Sequence, residues 1–411
     1  MLAQFETDDL TTPEVNADPW GYFGWLREHD PVHWNPVFKT WIVTRYADVN
    51  VVLRNHELFS SKIPLPPNLA DEYPPIDEAD WPLADDLAGY RAFIFHDRPE
   101  HLAMRQTIHR WFTPRAVEKW RTSMAARAQE LIDQYREAGT MEVKRDLATP
   151  LPLLTICWML GVPSEDAEHL YELAARVYPG GTDNHDYGGQ RLRVGVEAIQ
   201  KLREYFTPLL EERERDPQDD LISMIAQGET QGVYTREDAL ASIMILMDAG
   251  HTTTLNLISK GILAFVRNPE QWDLLRSDPD NLAASALEEI LRYDPPLKMV
   301  ILRYTTQDVE LGGKKIPAGD SVSYVLASAN RDPRAFEDPD TFDITRSPNP
   351  HVAFGGGIHH CLGAALARVS GQETFKALAR NFPRLQLVEE PEWMIHPVHH
   401  MVRELQIGWN R

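Results

Sequence analysis

Cys361 sits in the run Phe354-Gly355-Gly356-Gly357-Ile358-His359-His360-Cys361-Leu362-Gly363, whose residue types suit a loop that carries one thiolate beneath a metal. The glycines let the backbone turn tightly and approach a flat ligand closely. The residues that follow, Leu362 to Arg368, read as the first turns of a helix. A thiolate at that junction is stabilised by the unpaired amides and the positive end of the helix. A buried free cysteine at a glycine-rich turn is the plainer alternative. A second candidate is Met247-Asp248-Ala249-Gly250-His251-Thr252-Thr253-Thr254, in which small residues stand just ahead of a run of hydroxyls. Hydroxyls on a helix can also bond back to the carbonyl one turn earlier, which is a purely structural use. Asp248 lies one turn before Thr252, so the two share a flank of that helix.

Such residues need long elements to position them, and helical periodicity dominates the chain. Asp18-Pro19-Trp20 opens a short helix that ends near His29-Asp30-Pro31. Two strand-like runs, Val32-His33-Trp34 and Thr40-Trp41-Ile42-Val43-Thr44, predict a hairpin across Asn35 to Lys39. Between Ser60 and Tyr90 lies an acidic, proline-rich segment, and a loop this long in a compact domain is usually functional. Helices then run from Pro99 to about Asp216, broken by Pro179-Gly180-Gly181 through Gly188-Gly189. A continuous helical pattern spans Thr235 to about Val266, with Thr235 and Asp238 spaced as an N-terminal cap. On a helix near Ala283 to Tyr293, Glu289 and Arg292 share one face. Short strands and turns (Leu311-Gly312-Gly313, Pro317-Ala318-Gly319) precede the cysteine loop. The fold class this predicts is mainly α with a minor β region.

Composition narrows the function. The 411 residues carry 41 basic and 62 acidic side chains, a formal charge of -21, which repels nucleic acid and anionic membrane. Neither is expected as a partner. No stretch approaches the ~20 apolar residues of a membrane span, and Met1 to Asp18 lacks the basic and apolar regions of a signal peptide. Only Cys157 and Cys361 occur, and Cys157 lies in the apolar run Leu153 to Leu160 as an expected core residue. No disulfide is suggested, in keeping with a reducing cytoplasm. Zinc spacings, a phosphate loop and the Cys-x-x-Cys-His of covalent haem attachment are all missing from the sequence.

The string from Phe354 to Gly363 resembles the haem-binding signature Phe-Gly-x-Gly-x-His-x-Cys-x-Gly of the cytochrome P450 family. That resemblance implies a single large helical domain over 1–411 around a buried haem b, held without covalent attachment by the Cys361 thiolate. Phe354, Gly355, His359 and Gly363 would line the ring from the cysteine loop. His101 and Arg105, after Asp97-Arg98-Pro99-Glu100, match the family's propionate partners, as do Arg303 and His359. Glu289 and Arg292 match its structural Glu-x-x-Arg pair, with Arg331 of Asn330-Arg331-Asp332-Pro333 as the candidate third member. Residues 60–90 and 179–190 correspond to its two substrate lids.

Met247 to Thr254 resembles the family's Ala-Gly-x-(Asp/Glu)-Thr-(Thr/Ser), with Ala249 and Gly250 making room for dioxygen and Thr253 orienting the proton-delivering water. Thr252 stands where the family has an acid, and a hydroxyl cannot supply a proton as a carboxyl group can. Asp248 either substitutes in the relay, or binds a polar or cationic substrate group, or is a solvent-facing or salt-bridged aspartate. Thiolate ligation favours O–O cleavage, so the expected activity is insertion of one atom of O2 into a hydrophobic small organic substrate. The expected pocket takes in Ile245, Asp248, Ala249, Met299, Val300 and His400, with Lys298 beside them. It suits a terpenoid, aromatic or macrolide-like compound. Electrons must come from a separate ferredoxin or flavodoxin with its reductase, docking on a basic patch of Arg110, Arg115, Lys119 and Arg368. The chain is expected to act as a monomer. A peroxide-driven haem enzyme and a non-catalytic haem-binding protein are the alternatives, and Thr253 speaks against the second.

Overall fold

The computed structural model describes residues 8–10, 12–62, 91–177 and 189–409. Both expected lids, 60–90 and 179–190, fall almost wholly outside the described residues.

Local signals set the element boundaries. The Asp18 carboxylate accepts from Trp20 N–H at 3.2 Å and Pro19 takes the first helical position, opening the helix Pro19–His29. Thr235 and Asp238 cap each other: Asp238 N–H donates to the Thr235 hydroxyl at 3.1 Å, and Thr235 N–H to the Asp238 carboxylate at 3.3 Å. This reciprocal box opens the long helix Arg236–Arg267. The helix carrying Glu289 starts earlier than its apolar pattern, at Pro279, because Asp278 caps Asn281 N–H ahead of it. Gly312 and Gly313, at φ of +56° and +76°, make the tight turn between Val309–Leu311 and Lys314–Ile316.

The chain divides into two compact units. The first comprises Met1–Ser60, Phe112–Pro152 and Thr252–Arg411. Its main sheet has five strands in the order Val32–Asn35, Thr40–Val43, Ser321–Tyr324, Val300–Thr305, Phe59–Ser60. The predicted hairpin is there, with Val32 opposite Val43 and Asn35 opposite Thr40. Thr40–Val43 then runs parallel to Ser321–Tyr324, which pairs antiparallel with Val300–Thr305. The helical core of this unit gathers around Phe265, which meets Trp272, Phe342 and Phe375 edge-on at 5.2, 5.4 and 5.8 Å. The helices Arg121–Tyr135, Arg236–Arg267, Pro279–Tyr293 and Ala364–Asn381 supply most of its remaining apolar side chains.

The second unit comprises Ser61–Trp111 and Leu153–His251. Its helices are Glu100–His109, most of Pro150–Leu160, Ala167–Val177, Gly189–Arg215, Leu221–Thr230 and the first half of Arg236–Arg267. Tyr234 ties three of them, its hydroxyl donating to the Met104 carbonyl at 2.6 Å while its ring lies over Gly228. Helices with a minor sheet region are the architecture, as the periodicity predicted. Among the described residues no helix is long and apolar enough to cross a membrane.

Gly261 shows how tightly the first unit is packed: a Cβ there would stand 2.3 Å from the Phe375 ring and 2.9 Å from Ile290 Cδ1. Gly to Ala inside a helix ordinarily gains about 0.5–1 kcal/mol, whereas overpacking a rigid core costs about 1–3 kcal/mol. Phe375 is fully buried and cannot swing away, so packing wins. Gly261→Ala is expected to lower the urea midpoint. An unchanged or higher midpoint would show that the core yields.

Candidate active site

The cysteine loop is fixed at both ends. Cys361 N–H donates to the Phe354 carbonyl at 2.9 Å, and Gly355 N–H to that of Val352 at 2.8 Å. Gly355 and Gly357 hold φ of +67° and +63°, where side chains are strained. At Gly357 a Cβ would also lie 2.3 Å from the Leu53 carbonyl oxygen, so the loop runs hard against the helix Tyr46–Arg54. Just beyond the cysteine begins the helix Ala364–Asn381, and its amide end favours a thiolate. Cys361 is exposed although free cysteine is among the most buried of residue types. Cys157 obeys that rule: it is buried, its thiol pushed up to about 11 by burial. One cysteine is core; the other is presented.

A metal that arrives inside its own ring needs a single protein ligand. Among the described residues no group of three or more His, Cys, Asp or Glu is placed to hold a bare ion. The same unit carries Arg303, buried with its guanidinium 5.8 Å from the Tyr324 ring centre, and half-buried His359. A presented thiol, a glycine backbone, a guanidinium and an imidazole on one unit fit a flat, dianionic iron ligand. Thr252 and Thr253 lie in this unit and are half-buried.

The second unit holds the other predicted residues. His101 is buried with its ring parallel to Phe93 at 6.4 Å, and Arg105 follows one turn later, half-buried. Along the long helix Ile245 is buried, Asp248 half-buried and Ala249 exposed. Gly250 is small for a nearby reason: its missing Cβ would touch Ile156 at 3.2 Å. Its smallness therefore serves helix packing, while Ala249 presents the small exposed surface. Tyr171 meets the His251 ring edge-on at 4.5 Å. Burial raises the Tyr171 hydroxyl, and the Asp248 carboxylate raises it further. Sequence reasoning had no signal for Tyr171.

Three sequence expectations are corrected. Met299 is fully buried among Leu10, Val15, Tyr22, Phe23 and Val325, in the core and not on a pocket wall. His400 and Lys298 are also interior. His400 lies flat on Trp393 (ring centres 3.7 Å apart, 7° between planes) with Nδ1 3.3 Å from Asp294. Lys298 Nζ donates to Asn16 Oδ1 at 2.9 Å, an oxygen that also accepts from His396 N–H at 3.1 Å. Burial would raise Asp294, but the Lys260 ammonium and His400 beside it bring it down to about 2. Burial pushes Lys298 down to about 7 and His400 to about 4. Lys298 Nζ and His400 Nδ1 thus have core partners, whereas His400 Nε2 is buried without a hydrogen-bond partner among the described residues. Val300 stays half-buried, packed on the sheet core.

Arg331 is not the third member of the Glu289–Arg292 pair. Its guanidinium lies between the Trp20 and Tyr293 rings, 3.8 and 4.0 Å from their centres, and bonds the Tyr293 carbonyl at 2.9 Å. Arg346 takes the place, its Nε 3.3 Å from Glu289. Arg368 is likewise no free surface cation: Glu288 holds it with two bonds of 2.7 and 2.8 Å. Arg115 and Lys119 remain exposed.

The family model described as Cytochrome P450 matches residues 187–402. The Biotin biosynthesis cytochrome P450 of Bacillus subtilis (strain 168) is 35% identical over 388 residues, covering 94% of each chain. The chain belongs to the cytochrome P450 family. The Methyl-branched lipid omega-hydroxylase of Mycobacterium bovis is also 35% identical, over 95% of this P450 and 91% of that protein. The solved structure of P450BioI in complex with hexadec-9Z-enoic acid ligated Acyl Carrier Protein superposes with a TM-score of 0.87 at 33% identity. It covers 97% of this chain and 100% of that one. The protein therefore has the cytochrome P450 fold and is a haem-thiolate monooxygenase for hydrophobic substrates, using non-covalent haem b and O2.

The interior lysine gives this P450 a testable pH dependence. The unfolded chain keeps the Lys298 proton up to about 10.5, whereas the folded chain releases it above about 7, so stability rises with pH across that window. Lys298→Met leaves Asn16 Oδ1 its bond from His396 N–H. Holding an ammonium away from water is costly, and an apolar side chain of similar size removes that cost. Urea unfolding of Lys298→Met should show higher stability at pH 6 than the parent and a flatter rise toward pH 9. Equal slopes in both proteins would contradict the burial cost.

Proposed function

We propose that the Cys361 thiolate would hold the haem iron and that this P450 inserts one oxygen atom of O2 into an extended aliphatic chain. The observation that carries the reading is the exposed cysteine on a loop whose backbone is fixed at Phe354 and pressed onto Leu53 at Gly357. Phe354, Gly355 and Gly363 line the haem in this reading, and Arg303, His359, His101 and Arg105 serve its propionates. Those assignments rest on each residue's place in the family motifs. The haem, once bound, supplies the oxygen chemistry; the chain's residues hold it, keep water away and manage protons. Thr253 orients the water that delivers protons, with Thr252 beside it and Gly250 and Ala249 shaping the wall. Ile245, Ala249 and Val300 face substrate.

The aliphatic chain is favoured by two relatives: the P450BioI complex was solved with an acyl group on its carrier, and the mycobacterial protein is named a lipid omega-hydroxylase. Electrons come from a separate ferredoxin or flavodoxin, for which Arg110, Arg115 and Lys119, each exposed, remain as candidate basic contacts. We take residues 1–411 to work as one catalytic domain and one monomer in the cytoplasm. Two thiols without a disulfide fit that compartment.

Asp248 takes the role of the missing acid at Thr252 in this account. It is half-buried, and its charge reaches Tyr171. A positioned acid contributes about 10²–10⁴-fold to a proton transfer. Asp248→Asn should therefore cut product formed per electron pair by roughly tenfold or more, with the substrate-induced spin shift unchanged. Loss of the spin shift with coupling intact would assign Asp248 to substrate binding instead, and no change in either would remove it from the site.

The function is tested by titrating the ferric protein with free fatty acids, an acyl carrier protein conjugate and a sterol. Turnover in isotopically labelled dioxygen follows, with reductase and ferredoxin or with peroxide. A spin shift with acyl ligands and label in the product is the expected result. Product formed only with peroxide, without label from dioxygen, would favour the peroxide-driven alternative.

A further inference from the structure

Arg368 stands in the first turns of Ala364–Asn381, where the helix dipole disfavours a cation. Its surroundings explain why it is there. Its Nε and Nη2 grip both oxygens of Glu288 at 2.7 and 2.8 Å, and its guanidinium lies 4.5 Å from the ring centre of Phe354. Phe354 opens the cysteine loop, and its carbonyl accepts the Cys361 N–H at 2.9 Å. Glu288 is shared with His351, whose Nε2 lies 3.0 Å from the carboxylate. His351 Nδ1 accepts from Ala353 N–H at 3.2 Å, so the ring proton sits on Nε2 and is donated to Glu288. Burial would raise Glu288, but Arg368 and His351 bring it down to about 2. The Arg368 charge, held up first by Glu288, also interacts with Cys361.

An exposed ion pair would contribute little. This one is bidentate, partly buried, shared with a histidine and stacked on the first residue of the loop. We propose that Arg368 is a positioning residue: with Glu288 and His351 it brackets the Cys361 loop and sets how strongly the thiolate donates to the iron. The proposal rests on the haem-thiolate reading above. Two consequences follow from its chemistry. The fork and the stacking hold Phe354, and through its carbonyl the Cys361 amide, in one place. The charges act on the iron in opposite senses, since a nearby cation favours the reduced metal and a nearby anion the oxidised one. Outer partners of a metal ligand commonly tune the centre in this way.

The test is the midpoint potential of the haem-loaded protein. Arg368→Gln removes a cation and should move the potential negative; Glu288→Gln removes an anion and should move it positive. Arg368→Lys keeps the charge but loses the fork and the stacking. It should stay near the parent potential while releasing haem to apomyoglobin several-fold faster. A purely structural role would move both neutralising variants in the same direction, and that result would overturn the proposal. So would unmoved potentials with only a higher ferredoxin concentration for half-maximal reduction, the behaviour of a docking cation. If Arg368→Gln fails to fold, Glu288→Gln and Arg368→Lys still decide between these outcomes. A parent protein without a thiolate-type ferrous–CO spectrum would bring down the haem-thiolate reading itself. With that spectrum present, unmoved potentials would bring down only the bracket.

Discussion

Glu289 and Arg292 are both fully buried, and a buried ion pair holds only if its remaining lone pairs and protons find partners. Here they do. Arg292 forks onto Glu289 and spends its other protons on the carbonyls of Asn330, Pro339 and Thr341, at 3.0, 2.6 and 2.9 Å. Glu289 also accepts from Asp343 N–H, Asn349 and Arg346. One helical pair thereby pins the irregular chain from Asn330 to Asn349, which has little regular secondary structure of its own. Removing one partner of such a pair costs about 3–5 kcal/mol, because the other charge stays buried. The segment it pins leads directly into the cysteine loop.

The neighbouring carboxylate acts on the loop itself. Glu288 is only one residue from Glu289, so it leaves the helix in a different direction and meets Arg368 and His351. Adjacent acids on one helix thus hold the chain before the cysteine and the helix after it. The loop between them has no freedom to bury its thiol as an ordinary free cysteine does. Positive φ at Gly355 and Gly357 and the close Leu53 carbonyl leave the backbone one route, which ends with Cys361 exposed at the amide end of a helix. Presentation of the sulfur is a property of the scaffold.

Much of this was legible in the residues because the signals are local. The Thr235–Asp238 box, the Asp18 cap, the paired glycines at 312 and 313 and the cysteine loop all depend on neighbours a few positions apart. What escaped depends on long-range packing. Arg331 and Arg346 are both arginines at plausible distances from Glu289, and only the Trp20 and Tyr293 rings show that Arg331 is taken. Met299, Lys298 and His400 fall in segments that the family resemblance assigns to the pocket. In the folded chain Asn16 takes the Lys298 ammonium, and Asp294 and the Trp393 ring hold His400 in the interior. Gly250 read as room for a small ligand and is explained in part by Ile156 on a separate helix. The family was written in motifs; the partners of each charge were not.

Everything proposed for the site depends on the Cys361 sulfur, as thiolate, being the protein's bond to the iron. The most direct test of that bond is the absorption spectrum of the ferrous–carbon monoxide complex, recorded for the parent protein and for Cys361→Ser at matched haem content. The parent should show the long-wavelength Soret band of a thiolate-ligated haem, and Cys361→Ser should lose it. A parent spectrum of the ordinary histidine-ligated type, or a thiolate band that survives the substitution, would contradict it.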